Sequence, residues 1–409
     1  MDVAMAWRNV WRNPRRSALT ILAVAFAAGL LVFSVSWQLG TYETMIDSAV
    51  HIHTGHIQIL GEGYAKERRI RTVVADPAAV TDVVRGEAGV EAVARRANGF
   101  ALVSSDERTS GALIVGIQPE AEARISTLAQ TVRSGAYLEA GDANMALVGG
   151  ILATNLGIGP GDELVLLGQG RDGSIAATAL TVKGVFSTGQ DAFDRNTVHM
   201  RLTDFQEVFA MRGAVHEVVL WAQSLAAVPP LRARIAADLE EQGVTGLSVM
   251  TWDELMPGLL QSIQMDLTSS SIFYLILIVV VAFSILNTFV MAVFERTREF
   301  GVLMAVGASP WRIVRVLLYE SAALCVVGII LGAIGGSVVT LYFQTHGISL
   351  GEAGAMLRQY GIPERMYPQL SLVSVIIGPS MVFGITMLSA LFPALRARRL
   401  RPVDAMQGG

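Results

Sequence analysis

Three histidines, His51, His53 and His56, spell H-x-H-x-x-H. Imidazoles are common metal ligands, so the spacing raises a zinc site. The surrounding HIHTGHIQIL alternates like a strand. A strand puts His51 and His53 on one face and His56 on the other. With no cysteine or identifiable carboxylate to complete a ligand set, polar residues on a membrane-proximal strand are the better reading. Asp191, Asp194 and Arg195 in FSTGQDAFDRN offer a carboxylate pair for acid–base work. No base or nucleophile accompanies them, and a polar turn is the better reading. The chain holds no G-x-x-x-x-G-K-[ST] and no H-E-x-x-H, so neither device for phosphate or zinc is available. The formal net charge of −4 gives no reason to expect a nucleic-acid partner. The single cysteine, Cys325, sits in an apolar run and excludes an internal disulfide. Nothing here supports an enzyme, and no cofactor or metal is expected in this chain.

The elements around these residues are mostly apolar. The 409 residues are 52% hydrophobic and 16% charged, against about 25% charge in soluble domains. The deficit is local. Spanning a bilayer takes roughly 20 apolar residues in a helix, and four stretches qualify: residues 17–39, 267–294, 316–343 and a last one within 368–395. The first follows arginines, as a cleaved leader would. Its apolar part is too long for one, and no small-x-small site follows.

Arginines beside the spans set an orientation. Residues 1–16, 295–315 and 396–409 hold twelve of the 31 basic residues and four of the 35 acidic ones, leaving 19 basic and 31 acidic elsewhere. Both termini and residues 295–315 are therefore expected in the cytoplasm. Residues 40–266 and 344–367 are expected outside.

The loop 40–266 is large enough to bury its own core. FALVSS and SGALIVGI alternate like strands. ADPAAVTDVVRG reads as a short helix with Asp76 as N-cap and Pro77 in its first turn. ALVGGILATNLGIGPGDELVLL reads as helix, a stop at Gly157, then a turn at Pro160-Gly161-Asp162 into a strand. GQGRDGS, residues 168–174, reads as a hairpin tip. LTDFQEVFA and LRARIAADLEEQ read as helices. The expected fold is a polytopic α-helical membrane protein of four transmembrane helices. A large α+β extracytoplasmic domain, of two lobes, lies between helices 1 and 2.

Between spans 2 and 3 stands ERTREFGVLMAVGASPWRI, residues 295–313. Phe300, Leu303, Met304 and Gly307 fall at i, i+3, i+4 and i+7, one apolar face of a helix. Gly307 fits a helix stop, Ser309 an N-cap and Pro310 a first-turn residue. Such an element lies against the bilayer or docks into a soluble partner's groove, or else is a plain loop held at the headgroups by its arginines.

The same stretch resembles the signature of FtsX-like permeases, the membrane subunits of ABC transporters of the macrolide-exporter and lipoprotein-releasing type. MAWRNVWRNPRRSALTILAVA is similar to that family's amphipathic N-terminal helix and first span. GHIQILGEGY resembles its strand after that span, and PALRARRLRPVDAM its cytoplasmic end. The resemblance implies a bacterial inner-membrane permease that works by mechanotransmission. Its ABC ATPase dimer is separate and binds ATP and Mg. A second permease subunit, identical or sibling, pairs with it, and the substrate is a lipoprotein or another amphiphile drawn from membrane lipid. A non-transporting regulator, or an exporter of a small hydrophobic compound or peptide, is the alternative.

Carried over by position, the family's coupling helix spans residues 295–308. Phe300, Leu303 and Met304 would fill the ATPase cleft. Glu295, Arg296, Arg298 and Glu299 would pair at its rim, and Gly301 and Gly307 would allow close approach. Phe26, Leu30, Phe33, Trp37, Phe273 and Leu277 are candidates for a substrate cavity; otherwise they face lipid or one another. Gly328, Gly332 and Gly336 form a doubled G-x-x-x-G that permits close helix packing. Pro379 should kink span 4. Ser284, Asn287, Thr288 and Met291 form a stripe expected to face protein, and Glu320 is expected at the interface. The hairpin at residues 168–174 is short beside the one that catches a soluble carrier in the lipoprotein system, which leaves carrier recruitment open.

Overall fold

The computed structural model describes residues 2–106, 108–351 and 365–397. They divide into two compact units, residues 43–261 and 350–351 in one and residues 2–42, 262–349 and 365–397 in the other. The chain opens with helices α1 (Asp2–Arg12) and α2 (Pro14–Ala49), and a π-helical turn Val50–Thr54 continues α2. The expected strand around His51 is therefore mostly helix. Gly55, at φ +70°, closes the turn by donating from its N–H to the Val50 carbonyl at 2.8 Å. Only after this glycine, which tolerates that backbone, does the chain extend into β1 (Ile57–Gly61).

The α+β unit continues through α3 (Tyr64–Glu67), α4 (Pro77–Arg85), β2 (Val90–Ser104), β3 (Thr109–Ile117), α5 (Pro119–Ile125), β4 (Val132–Gly135) and β5 (Met145–Gly149). Next come α6 (Gly150–Leu156), β6 (Glu163–Gln169), β7 (Ile175–Phe186), α7 (Asp191–Asp194), β8 (Thr197–Arg201), α8 (Leu202–Val208), β9 (Glu217–Ala222), α9 (Val228–Glu241), β10 (Leu247–Thr251) and α10 (Trp252–Leu255). The Asp76 carboxylate accepts from the Ala79 N–H at 3.0 Å and caps α4. Gly157 ends α6 at φ +72°. The stretch before α6 was expected to be helical, but Met145–Gly149 is strand, paired with β7 and β8.

The strands make one ten-stranded sheet in the order β10-β1-β9-β2-β3-β8-β5-β7-β4. β6 bridges β7 back to β2, with Leu102 opposite Leu167. Six strands, β2-β3-β8-β5-β7-β6, thus close into a ring, while the first half of β2 carries β9, β1 and β10. Alternate residues of the ring strands, such as Val103, Leu164, Leu166 and Val182, point inward to the core beside Phe205 and Phe209. A period of two on a closed sheet produces that sorting.

Among the described residues four helices are long and apolar enough to cross a membrane: α2 with its π-turn, α11 (Pro257–Glu295), α13 (Pro310–His346) and α14 (Leu372–Ala397). The short α12 (Thr297–Ala305) lies between α11 and α13, and Ile348–Ser349 (β11) pairs with Arg365–Met366 (β12). The helical core joins Val24, Ala28 and Leu31 of α2 to Phe289, Leu324, Cys325 and Val382. α14 runs through Pro379 and Pro393 as one helix.

Candidate functional site

The glycine stripe of α13 is used inside the chain, against α2. A Cβ on Gly332 would lie 2.3 Å from the Ala25 carbonyl oxygen, and one on Gly336 2.7 Å from that of Gly29. On Gly328 it would lie 2.8 Å from Val24. Only glycine allows that approach. The crossing fixes α13, and α13 anchors α12.

α12 begins at Thr297, and Gly307 at φ +99° stops the helix. Pro310 starts α13 with Ser309 as N-cap. The helix–break–helix reading holds, but of the apolar face expected for a partner Phe300 and Met304 turn inward while Leu303 stays exposed. Phe300 is 3% exposed and packs with Val293, Ile313, Val314, Leu317 and Ala394, with Met304 against the same cluster. Those two residues bind α12 to its own bundle. The outward face carries Leu303 at 39% exposure, Val302, and Val306 at 85%, with Trp311 exposed just beyond the break. The periodicity located an apolar face; it did not say what covers it.

The charges also differ from the expected rim. Glu299 accepts from Arg12 and from Arg296, the latter at 3.2 Å. Arg16 meets Glu295 at 2.8 Å, and Arg296 reaches Glu320 at 2.9 Å. Glu295, Arg296 and Glu299 are thus paired within the chain, tying α1 and the start of α2 to the α11–α12 junction. Arg298 is exposed. Partial burial raises the Glu299 pKa, but hydrogen bonds from Arg12 and Arg296 outweigh it and hold the carboxyl below its usual range. Glu320 was expected at the interface; it is a half-buried partner of Arg296.

A groove of about 720 Å³ opens between α2 and α11. Phe33, Trp37 and Phe273 of the six cavity candidates line it. Phe26 is exposed away from it, Leu30 is half-buried, and Leu277 packs on the helical core. Composition did not reveal its polar floor. Tyr42 donates to Asp266 at 2.6 Å, the Gln38 amide donates to the same carboxylate at 3.4 Å, and Tyr274 donates to the Gln38 amide oxygen at 3.2 Å. In α11 the buried face is Ile285, Phe289 and Val293. Of the expected protein-facing stripe, Asn287 and Met291 are exposed and Thr288 half-buried. The side chain of Ser284 lies outside the described residues, as does the motif beyond residue 397.

In the α+β unit the three histidines do not converge. His51 and His56 each lie 3.7 Å, centroid to centroid, from Trp221, and His53 packs on Phe193 at 5.4 Å. Among the described residues no group of three ligand-type side chains is placed to hold a metal ion. Asp194 is buried and accepts from the Thr188 N–H and hydroxyl and from Ser187, at the end of the short helix α7 where a polar turn was expected. Residues 347–351 read G-I-S-L-G. Within them Ile348–Ser349 forms the short β11, paired antiparallel with Arg365–Met366. Sequence reading missed an exposed apolar face on β2, β6 and β7, made by Phe100, Leu102, Val165, Leu167 and Ile175. Its signal was strands apolar at both parities.

Four membrane-length helices, an α+β domain inserted after the first, and a short connecting helix between the second and third define a membrane permease. The MacB-like periplasmic core domain model matches residues 17–238, and the FtsX-like permease C-terminal model matches residues 271–402. Lipoprotein-releasing system transmembrane protein LolC of Xylella fastidiosa is 27% identical over 74% of this chain and 74% of its own length. Macrolide export ATP-binding/permease protein MacB of Neisseria meningitidis is 23% identical over 98% of this chain and 60% of its own. The crystallised periplasmic region of MacB from Actinobacillus actinomycetemcomitans covers 52% of this chain and 94% of its own at 13% identity, with a TM-score of 0.37. The chain belongs to the FtsX-like ABC transporter permeases that carry a MacB-like periplasmic core domain.

Proposed function

We propose that this permease transmits force from a separate ABC ATPase dimer, which binds ATP and Mg, to an external domain that expels a lipoprotein or another amphiphile from the inner membrane. The observation that carries this reading is α12. Its inward face locks it to the bundle through Phe300 and Met304, while Leu303, Val302 and Val306 stand free on the cytoplasmic side. A rigid lever with an exposed apolar tip suits a partner's cleft. The arginine bias supports an orientation with both termini and α12 in the cytoplasm and residues 40–266 in the periplasm. The exposed Asn287 stripe on α11 suits a second permease better than lipid, because polar groups facing hydrocarbon are costly. The relative named for lipoprotein release supports that substrate class.

The ATPase mechanism needs only a population shift: nucleotide binding closes the partner dimer, and the permease shape that fits it gains population. Co-expression with the cognate ATPase tests the reading. Val306→Asp should abolish permease-dependent modulation of ATP hydrolysis while the chain stays folded; unchanged modulation contradicts it.

The exposed face on β2, β6 and β7 favours a second reading, a regulator that docks a periplasmic protein. In that case Leu102→Lys with Leu167→Lys abolishes function, whereas substitutions in the groove do not.

A further inference from the structure

Two strands of the α+β unit end side by side. β3 and β8 run parallel, and their last paired residues are Ile117 and Arg201. Arg96 and Gly99 stand at opposite parity on β2, so they face opposite sides of the sheet. Glu122 of α5 accepts from Arg96 at 2.8 Å, whereas Phe205 of α8 packs on Gly99 and Gly116. The helices that follow β3 and β8 thus leave on opposite faces. Parallel neighbours whose connections part in this way open a crevice outside their carboxyl ends, the usual place for a ligand in α/β sheets. Here the crevice is a cavity of about 530 Å³, bounded on a third side by the start of α4. That is the size of a small-molecule site. Its charges are unusual. Arg201 is neutralised by Asp204, Nη2 to Oδ1 at 2.6 Å and Nε to Oδ2 at 3.0 Å. Arg95 has no carboxylate partner among the described residues; its Nε donates to the Gln118 amide oxygen at 3.4 Å. Glu120 and Asp76 line the same cavity, and neither has a cationic partner among the described residues. Asp76 spends one carboxylate oxygen on the cap of α4.

We infer that this crevice binds a zwitterion of α-ammonium and α-carboxylate, a short peptide held by both ends. Its carboxylate meets Arg95, and its ammonium meets Glu120 and Asp76. A lone anion such as phosphate is repelled by the two acids, and a lone cation by Arg95; a zwitterion offers each charge its complement. Ile117, Pro119, Leu202 and Val215 supply apolar wall on which the residues between the two ends can be buried. A free amino acid carries the same two charges and reaches less of that wall. The inference goes beyond the transport reading, because it gives the α+β unit a ligand of its own.

The test is calorimetric titration of the full chain in dodecyl maltoside with trialanine, N-acetyl-trialanine, trialanine amide and free alanine. Trialanine should bind, and blocking either end should weaken it at least tenfold. Arg95→Gln should weaken trialanine by about 10- to 100-fold, the range of a hydrogen bond to a charged group. The same variant should bind trialanine amide as the wild type does, because that probe has no carboxylate to lose. Glu120→Gln should weaken trialanine and leave N-acetyl-trialanine unchanged. A general loss of structure would weaken every probe alike, so this pairing of variant with blocked end marks direct contact. Alanine weaker than trialanine supports the inference with a peptide as occupant; alanine equal to trialanine supports it with a free amino acid. No saturable binding of trialanine, equal affinity for the blocked forms in the wild type, or full affinity in Arg95→Gln overturns it. If that happens while Val306→Asp still uncouples ATP hydrolysis, the crevice site falls and the transport reading stands.

Discussion

Two of the Arg–Glu pairings in this chain, one in each unit, use the pair differently. In the α+β unit, Arg96 grips Glu122 with two bonds, Nε to Oε2 at 2.8 Å and Nη2 to Oε1 at 2.7 Å, and both side chains are buried. Arg96 also donates to the His53 carbonyl at the end of the π-turn. Beside α12, Glu299 shares Arg12 and Arg296 with water, its side chain 43% exposed. A buried pair has surrendered hydration and depends wholly on its partner. An exposed pair contributes little to stability and can exchange partners cheaply. The first arrangement fixes a domain; the second suits a joint that must move.

The buried pair should break hardest. Glu122→Gln leaves Arg96 charged and buried without its counter-charge and with one of its three hydrogen bonds gone, and should cost about 3–5 kcal/mol. Hydrogen exchange in β2 and α5 of the full chain would show it, and unchanged protection would contradict the contrast.

Acid should act next, and again on the α+β unit. Burial pulls His199 down to about 3 and His216 to about 4. Both are neutral in the fold at neutral pH. As pH falls below about 6.5 the unfolded chain takes up protons that the fold refuses. Stability is therefore present above that pH and lost as pH drops toward the folded values. The slope is about 1.4 kcal/mol per pH unit for each histidine. His199→Gln should remove one such increment from an unfolding series between pH 7 and pH 5.

In the helical unit the expected effect is steric. Gly332→Ala drives a methyl into the Ala25 carbonyl and should cost about 1–3 kcal/mol. Gly335→Ala, three residues further along the same helix, meets nothing within 4 Å and should be tolerated. Thermal denaturation of the two variants in detergent compares them directly. The smallest stability change belongs to Glu299→Gln, less than about 1 kcal/mol. Its effect should appear in coupling to ATP hydrolysis.

Periodicity and turn chemistry made much of this legible. The four spans, the hairpin at residues 168–174, the Asp76 cap and the Gly307 break lie where residue patterns put them, because each depends on local preference. Two features were hidden for one reason. His51–Ile57 alternates like a strand but is mostly a π-turn, since the preceding helix carries through to Gly55. Phe300 and Met304 form a helical apolar face, yet α11, α13 and α14 cover it. A pattern identifies a face, whereas tertiary packing decides which neighbour occupies it. The Asp266 floor was invisible because its parts come from residues 38, 42 and 274, on two helices far apart in sequence.

The lever itself is tested most directly by position-specific photo-crosslinking within the assembled complex. A benzophenone placed at Val306 should capture the ATPase subunit, whereas one at Phe300 should capture only this chain. Capture of phospholipid alone from Val306 would contradict the account.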